Sequence, residues 1–143
     1  MIESAFYPKL CEYACLCRDD VVLDAGAGFG FLTQYLAGKC RAVVAVEKDP
    51  HVAAVLRERL KDCGNVTVVE GDVLKAELPP FDKVVAIPPY YLSSRLVAWL
   101  LERKTECAVL VLQREFAEKL VAPVGSEAYG WLTVQAFHEV QIR

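Results

Sequence analysis

Two rhythms of apolar and polar positions alternate along the chain. Short β-branched runs at Val21–Ala25, Ala42–Val46, Val66–Val69, Lys83–Ile87 and Cys107–Leu112 predict strands, with a last one starting at Glu139. Between them, apolar residues recur three or four apart over Phe31–Ala37, Pro50–Lys61, Ser93–Arg103, Glu115–Val121 and Tyr129–His138, which predicts helices; a short helix precedes the first strand. Pro50 suits a first helical turn, where its missing N–H would be unpaired anyway. Strands alternating with helices give an α/β fold, a doubly wound, mostly parallel sheet. Ligands of such sheets sit beyond the carboxyl ends of the strands, so the residues just after each strand are the candidates for chemistry.

The chain has 143 residues, which fits one domain spanning 1–143. Hydrophobic residues make up 55% and charged residues 24%, enough apolar material for a core and unlike a disordered chain. No apolar run exceeds the length of Cys107–Leu112, far shorter than a bilayer span, and residues 1–10 lack the apolar centre of a signal peptide, so a soluble, cytoplasmic protein with no membrane partner is expected. A net charge of -3 provides no global field for a polyanion, so any nucleic-acid binding must rest on a local basic patch. The six cysteines have no paired spacing of a zinc site, and no metal is expected. Asn65 and Met1 are the only residues of their types, a depletion seen in heat-adapted proteins.

Asp24-Ala25-Gly26-Ala27-Gly28-Phe29-Gly30 runs from the first strand into a helix. Phe31 occupies the place of the last glycine of the dinucleotide fingerprint, and no Gly-Lys-Ser/Thr follows to make a P-loop. An acid before the glycines and a bulky residue after them suit a ligand with an amino-acid end and a nucleoside end, such as S-adenosylmethionine (SAM); a structural strand–helix turn is the alternative. Glu47 closes the second strand, where a carboxylate accepts from both hydroxyls of a ribose, or else caps the next helix, a role that Asp49 fits better. In Glu70-Gly71-Asp72, Asp72 would accept from an adenine amino group while Gly71 lets the base approach; the competing reading is a surface turn. After the fourth strand, Ile87-Pro88-Pro89-Tyr90 joins a proline-stiffened loop to an aromatic on which a base can stack, or is ordinary punctuation before a helix capped by Ser93 or Ser94.

These residues carry a resemblance. From about Asp20 onward the chain resembles the ribosomal RNA adenine dimethylase family, the group of the KsgA-like and erythromycin-resistance methylases. It does so at Val22–Gly30, Val46–Asp49, Glu70–Asp72, Pro89–Ser94, Leu112–Ala117 and Tyr129–Gln135. The first three stretches are shared by many SAM methyltransferases; the last three are more specific to the family. The resemblance implies a class I methyltransferase Rossmann-like sheet, with Asp24, Gly26, Gly28, Glu47, Lys48, Asp72 and Val73 around SAM. The target base would lie at Ile87, Pro88, Pro89 and Tyr90, with Tyr90 stacking on it. The implied reaction is methyl transfer to the N6 amino group of an adenine in ribosomal or other structured RNA. A catalytically impaired SAM-binding or RNA-associated module and a small-molecule methyltransferase stay open beside it.

The departures from the family pattern are specific. Where the family loop reads Asn-Leu-Pro-Tyr, this chain has Ile87 and Pro88 in the first two places. The delocalised lone pair of an adenine amine needs hydrogen-bond acceptors to attack a methyl group, and losing one polar contact in such a site costs roughly a hundredfold in rate. The Gln-Asn-Phe-Leu segment, the Pro-rich loop, the last strand and the helical C-terminal domain of the family are also unmatched. A minimal form truncated at the last strand is therefore expected, in which Glu139–Ile142 pairs with the fifth strand. A monomer is favoured, with a homodimer as the alternative. RNA would be held weakly, by Arg95, Arg103, Lys104, Arg114 and Lys119.

Overall fold

The computed structural model describes residues 4–103 and 105–127. The helix expected at Tyr129–His138, the strand from Glu139, its pairing with the fifth strand and Lys104 lie outside the described residues. Two compact units are present, residues 4–88 with 105–111 and residues 89–103 with 112–127.

The first unit opens with a 3-10 turn, Ser4–Phe6, and helix α1, Tyr7–Tyr13. It then alternates β1 (Val21–Ala25), α2 (Phe31–Ala37), β2 (Ala42–Glu47), α3 (Pro50–Leu60), β3 (Val66–Glu70) and β4 (Lys83–Ala86), and is completed by β5 (Cys107–Leu110). The strands lie in the order β3-β2-β1-β4-β5, and every pairing is parallel. This is the expected doubly wound sheet, and its carboxyl edge aligns Ala25 with Val46, Glu47 with Glu70 and Ala86 with Leu110.

Four strand ends differ from expectation. β2 and β3 each run one residue further, because the parallel ladder continues through the two glutamates. β4 stops at Ala86 rather than Ile87, immediately ahead of Pro88, which has no N–H to give to a ladder. β5 stops at Leu110 rather than Leu112, at the register position opposite Ala86. Among the helices, α3 ends at Leu60 rather than Lys61.

β-branched and small residues fill the centre of the sheet because each inner strand is covered on both faces. Val22, Leu23, Val84 and Val85 are fully buried. A cluster of Tyr7, Leu10, Leu32, Leu36, Cys40, Val43 and Val85 seats α1 and α2 on the sheet, while Leu56 and Leu60 of α3 pack with Ala45. At the amino edge, Lys83 Nζ lies 3.0 Å from Asp20 Oδ2 and donates to Cys15 O at 2.9 Å. Burial pushes the Asp20 carboxyl up, but the Cys17 N–H and the Lys83 ammonium bonded to it outweigh that and hold it below the usual carboxylate value. Removing either partner would strand a buried charge. All six cysteines are unpaired thiols. Among the described residues no helix is long and apolar enough to cross a membrane, and no group of three His, Cys, Asp or Glu is placed to hold a metal ion.

The second unit begins with a 3-10 turn over Tyr90–Leu92 that the sequence pattern does not predict, since three residues are too few for a period. It leads into α4, Ser93–Arg103, on which Leu96, Val97, Leu100 and Leu101 are buried. α5 spans Arg114–Leu120, one residue earlier at each end than the expected Glu115–Val121.

Candidate functional site

The loop after β1 is built by hydrogen bonds to the neighbouring strand. Val46 O accepts from Gly26 N and Ala27 N, both at 2.9 Å, so the chain leaves the sheet in a tight turn and enters α2 at Gly30. Two of its glycines answer different demands. Gly30 has φ +90, which strains any other residue, and a Cβ there would lie 2.6 Å from Leu56 Cδ1 of α3, so the buried leucine would have to move to admit one. Gly28 has φ +60, yet a Cβ there would meet nothing within 4 Å. Its exposed flank is open for a ligand to reach the backbone, which fits the close approach expected of a cofactor cradle.

Glu47 fixes this loop. Its Oε2 accepts from Gly28 N at 2.9 Å and its Oε1 from Asp49 N at 3.0 Å. A carboxylate has about four acceptor positions, so each oxygen keeps one for a further donor such as a ribose hydroxyl. The helix-capping role falls to Asp49, whose Oδ1 accepts from His51 N and Val52 N at the start of α3. Lys48, between them, is exposed. Gly71 N donates to Glu47 O at 2.9 Å, which ties the third strand end to the second. Asp72 turns the chain there: its Oδ1 accepts from Leu74 N at 2.9 Å and its carbonyl from Lys75 N and Ala76 N. Val73 is buried behind it. Asp72 thus shapes a turn, and its Oδ2 is left as the side-chain acceptor for an incoming donor.

Asp24 lies deeper than its place in the sequence suggests. It is 2% exposed, and its Oδ2 accepts from Thr33 Oγ1 of α2 at 2.7 Å. Burial pushes its carboxyl up to about 7; the Thr33 hydrogen bond opposes the rise and the Glu47 charge adds to it. A buried carboxyl that titrates near neutrality at a strand end is a feature of functional sites. Thr33 and Arg59, whose Nε donates to Phe29 O at 2.7 Å, are site-shaping residues that sequence reasoning passed over.

The other candidate stretch follows β4. Ile87 is an apolar side chain packed against the core cluster of Val22, Leu36 and Val85, so at the place of the family's asparagine no polar side chain is offered. Pro88 is buried and Pro89 partly so. In the second unit Tyr90 and Tyr91 are 70% and 63% exposed, which leaves both rings free to stack. Of the two serines that the competing reading offered as a helix cap, Ser93 makes no capping hydrogen bond, because its buried hydroxyl has no hydrogen-bond partner. Of the basic residues, Arg95 is exposed on α4, the Arg103 guanidinium lies 4.4 Å from the Trp99 ring centroid, and Lys119 is exposed on α5. Arg114 is paired with Glu118 at 2.8 Å on the exposed surface of α5.

Comparison with known proteins adds a family. The sequence model of ribosomal RNA adenine dimethylase matches residues 4–143. The chain belongs to the ribosomal RNA adenine dimethylase family. A relative from Methanosarcina acetivorans named "Probable ribosomal RNA small subunit methyltransferase A" is 38% identical over 138 residues, 96% of this chain and 51% of the relative. This member therefore spans about half the length of the curated relatives it matches. The crystal structure of a dimethyladenosine transferase from Plasmodium falciparum matches at TM-score 0.79 and 33% identity, covering 93% of this chain and 50% of that one. The 23S rRNA methyltransferase ErmE matches at TM-score 0.74 and 41% identity, covering 83% of this chain and 50% of that one. Membership of the dimethylase family thus accounts for the α/β sheet and its parallel strand order.

Proposed function

We propose that this chain carries the cofactor-binding part of a SAM-dependent methyltransferase acting on the N6 amino group of an adenine in ribosomal RNA. The observation that carries the reading is the carboxyl edge of β1 to β3, where an open glycine backbone at Gly28, spare acceptors on Glu47 and Asp72 and the buried Asp24 follow one another in the family's order. SAM, when bound, supplies a methyl group activated on a sulfonium. Gly26 and Gly28 would let its methionine end approach the backbone, with Asp24 beneath as a titratable acid. Glu47 would accept from the ribose hydroxyls, Asp72 from the adenine amine, and Lys48 and Val73 would flank them. On the acceptor side, the carbonyls of Ile87 and Pro88 would take the hydrogen bonds that an asparagine side chain takes in the family, and Pro89 and Tyr90 would shape and stack the target base. Arg95, Arg103, Lys104, Arg114 and Lys119 would contribute phosphate contacts in a weak, salt-dependent interaction.

Ile87 favours a second reading, a module that binds SAM with impaired transfer, because its side chain is committed to the core. Two measurements separate the readings. Calorimetry with SAM, its demethylated product S-adenosylhomocysteine and NAD should give heat with the first two alone. Methyl-labelled SAM should then label assembled small subunits or deproteinised RNA above a no-RNA control. Binding without transfer selects the second reading, and no binding of either sulfur nucleoside by folded protein contradicts both.

A further inference from the structure

We infer that Arg59 is a positioning residue that clamps the glycine loop into its ligand-ready shape without touching the ligand. The inference rests on the reading that this loop holds SAM. The backbone at residues 28 and 29 is held from two sides: Gly28 N donates to Glu47 Oε2 at 2.9 Å, and Phe29 O accepts from Arg59 Nε at 2.7 Å. The same guanidinium lies over the Phe31 ring, 4.0 Å from its centroid, so Arg59 grips the chain on both sides of Gly30. Gly30 itself rests on Leu56 of the same helix, which would have to move to admit a Cβ.

α3 is thus a template for the loop along its whole length. Asp49 at its start is hydrogen-bonded to Glu47, Leu56 in its middle supports Gly30, and Arg59 near its end holds Phe29 and Phe31. The spacing follows from the helix: Leu56 and Arg59 are three residues apart and share a face. Three glycines among residues 26–30 give the loop backbone freedom unless it is pinned, and ordering it on binding would cost conformational entropy. A planar guanidinium suits the task, since one side chain donates in its plane to a carbonyl and stacks by its face on an aromatic ring; a lysine ammonium can donate too, but it has no planar face with which to do both at once.

Arg59→Ala, Arg59→Lys and Phe31→Leu distinguish a clamp from a generic surface contact. Arg59→Ala should raise the Kd for S-adenosylhomocysteine about tenfold, the effect of losing one charge-assisted hydrogen bond. Arg59→Lys should lose part of that affinity, because its ammonium cannot bond Phe29 O from the Nε position while lying over the Phe31 ring, and Phe31→Leu, which removes the ring and keeps the Phe29 hydrogen bond, should lose less than Arg59→Ala. In the ligand-free protein, Arg59→Ala should speed amide exchange at Gly28 and Gly30 by about tenfold, with exchange in β1 and β2 unchanged. Uniformly faster exchange across the sheet would mean a merely structural role and overturn the clamp. Wild-type affinity together with wild-type loop exchange in Arg59→Ala and Arg59→Lys would also overturn it. If Arg59→Ala does not fold, Arg59→Lys decides. If the wild type binds no sulfur nucleoside, the methyltransferase reading fails by itself, while the exchange comparison still decides the clamp.

Discussion

Replacing Asp24 by asparagine should stabilise the protein, and by an amount that depends on pH. Burial raises the Asp24 carboxyl from its ordinary 3.8 to about 7, despite the Thr33 hydroxyl that donates to it. The folded state therefore holds a proton that the unfolded chain releases between pH 4 and 7. With the folded-state value raised, this contribution to stability is complete below the unfolded pKa, declines as pH rises through the folded pKa and is absent above it. The full displacement corresponds to roughly 4 kcal/mol, more than half of which falls between pH 5 and pH 8. Asparagine is nearly isosteric, keeps an oxygen for Thr33 and does not titrate. Urea denaturation of wild type and Asp24→Asn at pH 5, 6, 7 and 8 should show a stability difference that grows in favour of the variant with pH. Thr33→Val should steepen the wild-type decline by removing the bond that opposes the shift. A difference that stays flat between pH 5 and 8 would refute the reasoning and place Asp24 in contact with water.

Gly30→Ala and Gly28→Ala should separate packing from ligand access. The first forces a Cβ to 2.6 Å from Leu56 and should cost about 2–4 kcal/mol in denaturation. The second meets no atom, so it should cost only about 1–2 kcal/mol of backbone strain while weakening S-adenosylhomocysteine binding in calorimetry. Glu47→Ala should weaken the same binding by about 1–3 kcal/mol, losing both its ribose acceptors and its hold on Gly28. Tyr90→Ala should lower methyl transfer while leaving cofactor affinity unchanged, and equal loss of both would show the residue to be misassigned. Ile87→Asn should raise the transfer rate if the residue merely weakens an adenine methylase; loss of activity would mean the loop is built for another acceptor.

The sheet was legible because parallel strands covered on both faces read as unbroken β-branched runs, and β1, α2 and α4 begin and end where the pattern sets them. Strand ends were less so, since Glu47 and Glu70 remain in the ladder although charged side chains suggest a loop. Asp49 was recognisable as a helix cap from its place before Pro50. The side chains that hold the site residues in place were not legible. Thr33 on Asp24 and Arg59 on Phe29 join residues 9 and 30 positions apart, and no local period encodes such pairs. The buried Asp20–Lys83 pair escaped notice for the same reason: a lysine opening a strand reads as solvated until the fold covers it.

The most direct measurement identifies the methylated atom. Small ribosomal subunits lacking the modification are incubated with the protein and methyl-labelled SAM, and their RNA is digested to nucleosides and separated by mass. Label should appear in N6-methylated adenosine, at one position or a few and dependent on the protein. Label in another nucleoside or in no nucleoside, from protein shown to bind S-adenosylhomocysteine, would contradict the assignment of an adenine amine as the acceptor.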